Sequence, residues 1–481
     1  MTRLIVGPFN RVEGDLEVTL DIAAGAVTAA FVNASLYRGF EQILQGKTPL
    51  DALVFVPRIC GICSVAQSSA AAQALADAMG LVPANNGRIA ANLVLACENL
   101  ADHLTHFYLF FMPDFARAAY RDRAWYSAAE ERFKALNGSG IKAMLPARAD
   151  FLHLMGLLAG KWPHTLALQP GGSSRALQAA EKIRLLMLLR EFRSWLEKNL
   201  FGDLLENVAG LASRQALEDW RATQRAGDFR LFLEIAEDLQ LEQLGRATDV
   251  FLSYGNFPQA EGVGRLFPAG VWDGKLHALD ELAIVEDATC AWLNGGAALH
   301  PTQGLTLPLS DKAGAYSWCK APRLAGRVVE TGALARQLVA GQPLLRMLAA
   351  EQGGNVYARI VARMIEITRV LPEMERWLRE LKPGAPFCFP GSLPEEAEGR
   401  GLVEAARGSL GHWLQIRHGR IQNYQIIAPT TWNFSPRDAA GTPGALEQAL
   451  VGAPVGEKEA TPLAVQHIVR SFDPCMVCTV H

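Results

Sequence analysis

The sequence predicts a mainly α fold with small β parts: a central bundle of long helices and an α+β periphery. Two observations carry that reading. Long stretches place apolar residues at helical spacing, and the segments richest in Gly and Pro fall between them. A third supports it, since 50% hydrophobic against 20% charged residues in a chain of 481 gives material for a wide interior.

The elements follow in order. Residues 3–35 alternate apolar and polar with turn signals, as in LEVTLDIAAGAVTAAFVNA, and read as a hairpin or small sheet. From about residue 62 the texture becomes an Ala-rich helix, SVAQSSAAAQALADAMG, closing on a glycine suited to a C-cap. Residues 88–111 form an unusually apolar helix expected in the interior. Further helices are expected over 175–200 and 355–381, the last bent around Pro372. Residues 253–345 and 382–400 are turn-rich with short strand-like pieces. Without an internal repeat or an evident linker, residues 1–481 are expected to form a single domain.

Net charge is −3, from 46 Lys and Arg against 49 Asp and Glu, with no basic block, so nucleic acid is not an expected partner. The N-terminus lacks the apolar core of a signal peptide, and no stretch reads as a membrane span. A cytoplasmic location is the resulting expectation.

Eight cysteines are too few for a disulfide scaffold at this length. Four of them form two CxxC pairs, Cys60/Cys63 in FVPRICGICSVAQ and Cys475/Cys478 in DPCMVCTVH. One pair alone is compatible with a redox dithiol, half a zinc site or chance. Two pairs in one chain point to a soft metal held by four thiolates, with zinc, iron–sulfur and two inert pairs as alternatives. Cys97, Cys290, Cys319 and Cys388 read as small buried hydrophobes. His481 adds an imidazole to the second motif and admits a harder cation nearby.

With these residues in view, the chain resembles the large, catalytic subunit of nickel–iron hydrogenases. The early motif of that family, RxCGxCxxxH, corresponds to Arg58 through Gln67, and the late motif, DPCxxCxxH, to Asp473 through His481. Between them stand Arg11-Val12-Glu13-Gly14, Arg38-Gly39-Phe40-Glu41, His103 through Tyr108, Glu404 through Trp413, and Pro429 through Asn433, in family order. The resemblance implies the family's large-subunit fold, with both termini contributing to a buried metal site. It implies that Cys60, Cys63, Cys475 and Cys478 hold nickel, with Cys63 and Cys478 also bridging to an iron that carries one CO and two CN ligands. Arg407 and Thr430 would face those ligands, with Gln67 beside them. Ala406 stands where the family has proline before the arginine. Dihydrogen would be split heterolytically, the Cys475 thiolate taking a proton that Glu13 relays outward. Glu41, His481 and the main-chain carbonyl of Ile426 would bind magnesium or a similar hard cation. Electrons would leave through a small subunit containing iron–sulfur clusters, and maturation proteins would install the metals.

Three departures from the common pattern resemble the regulatory, hydrogen-sensing branch: Gln67 for histidine, and the larger Ile62 and Phe110 along the gas channel. The ending at His481 points the same way. That branch implies low turnover and a histidine kinase as signalling partner. The alternatives are an uptake hydrogenase in mature, trimmed form and a non-catalytic metal-binding interaction subunit.

Overall fold

The computed structural model describes residues 2–224, 226–260, 263–457 and 459–481. The N-terminal segment forms an antiparallel sheet of β1 (Thr2–Val6), β2 (Leu16–Ala23) and β3 (Ala26–Ala34), in that order. Alternation in β2 buries Leu16, Val18 and Leu20, the half-buried pattern read from sequence. Helix α1 (Ser64–Met79) ends on Gly80, whose φ of 62° is the left-handed cap the glycine was expected to supply.

Helix α2 (Asn85–Thr105) is buried around most of its circumference and continues into a π-helical turn, His106–Phe111. Helix α3 (Ser139–Ala159) was not legible, because Pro146 stands inside it and Lys142 and Arg148 interrupt its apolar run. Helix α4 (Ala179–Trp195) and the π-helical turn Leu196–Phe201 fill the segment expected over 175–200. Helix α5 (Val356–Glu380) starts where the Asn355 side chain accepts from the Ala358 N–H and runs on past Pro372. These helices and small peripheral sheets give the expected helix-dominated mixed fold. Among the described residues, no helix is long and apolar enough to cross a membrane.

A second antiparallel sheet, β4 (Ala397–Ala405), β5 (Gly408–Arg417) and β6 (Arg420–Ile427), stands against α1. The approach is close enough to dictate composition. A Cβ added at Gly401 would lie 1.9 Å from the Ala70 carbonyl oxygen, and one at Gly399 would lie 2.1 Å from that of Ala74. Only glycine on the strand, facing alanine on the helix, lets the two backbones meet this way. The strand ends at a two-residue turn, Ala406-Arg407, because Ala405 pairs directly with Gly408. The chain closes through α6 (Pro429–Asn433), α7 (Leu463–Ser471) and α8 (Met476–Thr479).

Of the four cysteines outside the CxxC pairs, Cys97 and Cys319 are buried as expected. Cys388 is exposed and Cys290 only partly covered, because both lie in turn-rich connections and not on core faces.

Candidate metal centre

The two CxxC pairs meet. Cys60 Sγ lies 3.4 Å from Cys475 Sγ, Cys63 Sγ 3.0 Å from Cys478 Sγ, and Cys475 Sγ 3.0 Å from Cys478 Sγ. All four sulfurs fall within 4.8 Å of one another, and all four residues are buried. Hydrogen bonds from neighbouring thiols, Cys475 first, hold Cys60 well below the usual thiol range. The Cys475 contact chiefly pushes Cys63 up, while burial chiefly pushes up Cys475 and Cys478. Four sulfurs this close, with protons to lose and no room for water between them, suit a soft cation.

Main-chain contacts bring the pairs together. Glu13 forms a parallel bridge with Cys475: its N–H donates to the Pro474 carbonyl at 3.3 Å, and its carbonyl accepts from Met476 N–H at 2.7 Å. Arg38 donates to the carbonyl of Ile59 at 2.5 Å and also to that of Val477, which ties the residue before Cys60 to the residue before Cys478. Farther out, the buried Asp114 carboxylate accepts from Arg11 and, at 2.6 Å, from Arg470, which itself donates to Asn10. Residues 10–13, the end of the α2 segment and α7 are thereby joined.

Above the sulfurs sits Arg407, in the hairpin turn rather than on a helix, so its guanidinium is pinned from two sides. Nε donates to the Asp473 carbonyl at 3.0 Å, and Nη2 donates to Asp473 Oδ1 at 3.1 Å and Asp102 Oδ1 at 3.2 Å. Nη1 stands 3.0 Å from Asp102 Oδ2 but is not aligned for a hydrogen bond, and it is buried without an acceptor among the described residues. Asp473 can offer both its carbonyl and its carboxylate because its φ is 61°, a backbone state Asp tolerates better than most residues. Burial opposes the Asp473 charge, yet Arg407 and His106 keep its pKa below the usual range, whereas burial raises that of Asp102 to about 7. Neither aspartate was singled out from sequence. Asp102 hides in an apolar helix, although Asp473 lay within the quoted motif.

The remaining expected residues fall around this core. Thr430 Oγ1 accepts from Cys475 N–H at 3.1 Å, which leaves its own proton free for another acceptor. Gln67 lies one helical turn after Cys63; its Oε1 pairs with His412 Nε2 at 2.9 Å and its Nε2 is buried without a partner among the described residues. Glu13 is half-buried, and burial, then the Cys60 charge, raises its pKa. Ile62 donates its N–H to Cys60 Sγ at 3.3 Å; Phe110 lies in the π-helical turn, its carbonyl accepting from Arg11 at 2.9 Å.

A second cluster surrounds Glu41, which is buried. His481 Nε2 stands 3.1 Å from Glu41 Oε1, and Ile426 N–H donates to the same oxygen at 2.8 Å. In a strand, N–H and C=O of one residue face the same side, so the Ile426 carbonyl lies on the edge facing Glu41. His481 Nδ1 is 2.7 Å from the Cys478 carbonyl and donates to it. That assignment leaves the Nε2 lone pair facing a carboxylate, an arrangement that needs a proton or a cation between them. A cavity of about 20 Å³ lies between these groups, Thr306 and Lys320. Burial opposes the Glu41 charge, but Lys320 and His481 bring its pKa down to about 2.

The residues present fit the groups the resemblance implied: a soft-metal box of four thiols, two unpaired buried donors on Arg407 and Gln67 for polar ligands, and an oxygen-rich pocket for a hard cation.

A family profile described as nickel-dependent hydrogenase matches residues 38–136 and 115–481. The periplasmic nickel–iron–selenium hydrogenase large subunit of Desulfomicrobium baculatum is 31% identical, with 100% of this chain and 95% of that one covered. The quinone-reactive nickel–iron hydrogenase large chain of Wolinella succinogenes is 27% identical over 100% of this chain and 96% of its own. Among solved structures, the nickel–iron–selenium hydrogenase of D. vulgaris Hildenborough matches with a TM-score of 0.86 and 31% identity, covering 100% of both chains.

These relatives correct three expectations. The sensing, regulatory assignment does not stand, because the relatives are named as periplasmic, quinone-reactive and numbered hydrogenases. Ile62, Phe110 and Gln67, the residues on which that assignment rested, lie around the four sulfurs without altering the cysteine cluster. The histidine-kinase partner goes with it. The cytoplasmic assignment also falls, since it rested on a missing leader while a full-length relative is periplasmic. The four cysteines form a metal-binding site consistent with a nickel–iron centre, and the chain belongs to the nickel-dependent hydrogenase family, as the large subunit of an oxidoreductase that acts on dihydrogen.

Proposed function

We propose that this protein is the large subunit of a catalytic, hydrogen-oxidising hydrogenase of the uptake type. The observation that carries the reading is the convergence of Cys60, Cys63, Cys475 and Cys478 into one buried cluster beneath a pinned arginine. The four thiolates would hold nickel, with Cys63 and Cys478, 3.0 Å apart, shared with an iron bearing one CO and two CN ligands. When bound, this pair of metals supplies heterolytic cleavage of dihydrogen.

The chain's own residues do the rest. Arg407, fixed by Asp102 and Asp473, directs charge-assisted hydrogen bonds over the sulfurs without having to reorganise. Thr430, its oxygen already engaged by Cys475 N–H, has one proton to donate to a ligand, and Gln67 has an unpaired amide. Cys475 takes the proton and passes it to Glu13, which the main-chain bridge holds alongside. The upward pKa displacement of Glu13 narrows the gap between carboxylate and thiol, as proton transfer requires. Glu41, His481 and the Ile426 carbonyl bind magnesium or a similar hard cation and fix the segment that carries Cys478. The two electrons leave one at a time through a small partner subunit with iron–sulfur clusters. Residues 1–481 act as one cooperative unit, since the site needs both ends.

Infrared spectroscopy of the purified large–small pair, with and without dihydrogen, tests the reading together with nickel analysis and hydrogen-dependent dye reduction. Metal-bound CO and CN bands that respond to the gas, one nickel per chain and sustained turnover are expected. A nickel-free preparation without those bands would refute the centre, and bands without turnover would refute the uptake role.

A further inference from the structure

Cys63 occupies the N-cap position of α1 but makes no capping hydrogen bond, its sulfur being committed to the cluster. The first-turn N–H groups of that helix therefore need an outside partner. Glu98, from the middle of α2, supplies it. Its Oε2 accepts from Val65 N–H and its Oε1 from Ala66 N–H, both at 2.9 Å. Trp162 Nε1 donates to Oε2 at 2.9 Å, and the Ser64 hydroxyl lies 3.4 Å from the same oxygen. The residue is buried at 3% exposure.

Burial, with the Cys60 charge adding to it, pushes the Glu98 pKa up to about 8 against these donors. Three N–H groups nevertheless point at its two oxygens, and the Ser64 hydroxyl adds a longer contact at 3.4 Å. The arrangement calls for the carboxylate. Its charge has a consequence at the sulfurs: a helix N-terminus would otherwise favour extra negative charge at Cys63, and Glu98 cancels that field.

We infer that Glu98 is a positioning residue that seats Cys63 by capping α1 from a neighbouring helix and, through its fixed negative charge, disfavours the reduced state of the centre. This deepens the proposed function and rests on it.

Redox titration of the loaded large–small pair, followed by its infrared bands, tests the inference in two variants of opposite sign. Glu98→Gln removes the charge, so at a fixed potential the ratio of oxidised to reduced centre should fall on the order of a hundredfold, the effect of one charge about a helical turn away in an effective dielectric near 20. Trp162→Phe keeps the charge and removes one donor that neutralises it, so the ratio should rise severalfold. A role confined to packing would lower nickel content or melting temperature and leave the ratio in the loaded fraction unmoved. An unmoved ratio in nickel-loaded Glu98→Gln, or displacement in the same direction in both variants, would overturn the inference alone. If Glu98→Gln retains no nickel, Trp162→Phe decides, and an unchanged ratio there overturns it. Wild-type protein without nickel or diatomic bands would overturn the proposed centre as well.

Discussion

Replacing Glu41 by glutamine gives the most quantitative test of the second cluster. The Glu41 carboxyl is brought from 4.5 down to about 2 despite burial, chiefly by Lys320 and His481. A group with a depressed folded-state pKa stabilises the fold above its unfolded pKa and loses that contribution as pH falls through the folded value. At about 1.4 kcal/mol for each tenfold change in acidity, Glu41 contributes on the order of 3 kcal/mol at pH 7 and less than half of that at pH 3. Denaturant unfolding of wild type and Glu41→Gln should therefore show a difference that is constant above pH 5 and shrinks by more than half at pH 3. Carboxylates elsewhere titrate in both proteins and cancel. A difference independent of pH, or below about 1 kcal/mol at pH 7, would refute the argument that Glu41 is held ionised by its partners.

Three further outcomes are expected. Asp114→Asn leaves the buried Arg470 and the partly exposed Arg11 without their counter-charge and should cost about 3–5 kcal/mol of stability in chemical denaturation, with nickel content falling because residues 10–13 lose their anchor. Gly401→Ala puts a methyl group into the Ala70 carbonyl and should cost about 1–3 kcal/mol, read as a lowered melting temperature. Shrinking both Ile62→Val and Phe110→Leu should widen gas access and hasten inactivation by oxygen severalfold; unchanged survival of hydrogen-dependent dye reduction after exposure to air would count against those positions controlling entry.

How much was legible differs by the kind of signal. The four thiols could be read because CxxC spacing is rare in a cysteine-poor chain, and Glu41 and His481 came with neighbouring motifs. The helices α1, α2 and α5 showed through their apolar period and end signals. Asp102 and Glu98 could not be read. Each is a lone carboxylate on an apolar helix, and only the fold shows that one meets Arg407 and the other the start of α1. Arg407 was legible through its motif but its setting was not: pairing of Ala405 with Gly408 puts it in a hairpin turn. The β4–β6 sheet was missed for a related reason. Its strands are buried on both faces, so the polar–apolar alternation that marked β2 is absent.

The glycine–alanine seam between α1 and β4 has a mechanical consequence. Cys63 heads the helix and Arg407 follows the strand, so the distance between sulfur and guanidinium is set by two rods locked side by side at Ala70 and Gly401. Backbone against backbone leaves no side chain to yield. The site consequently rides on a seam with no flexible side chain in it, and a tilt introduced there, two turns from Cys63, would be carried to the four sulfurs.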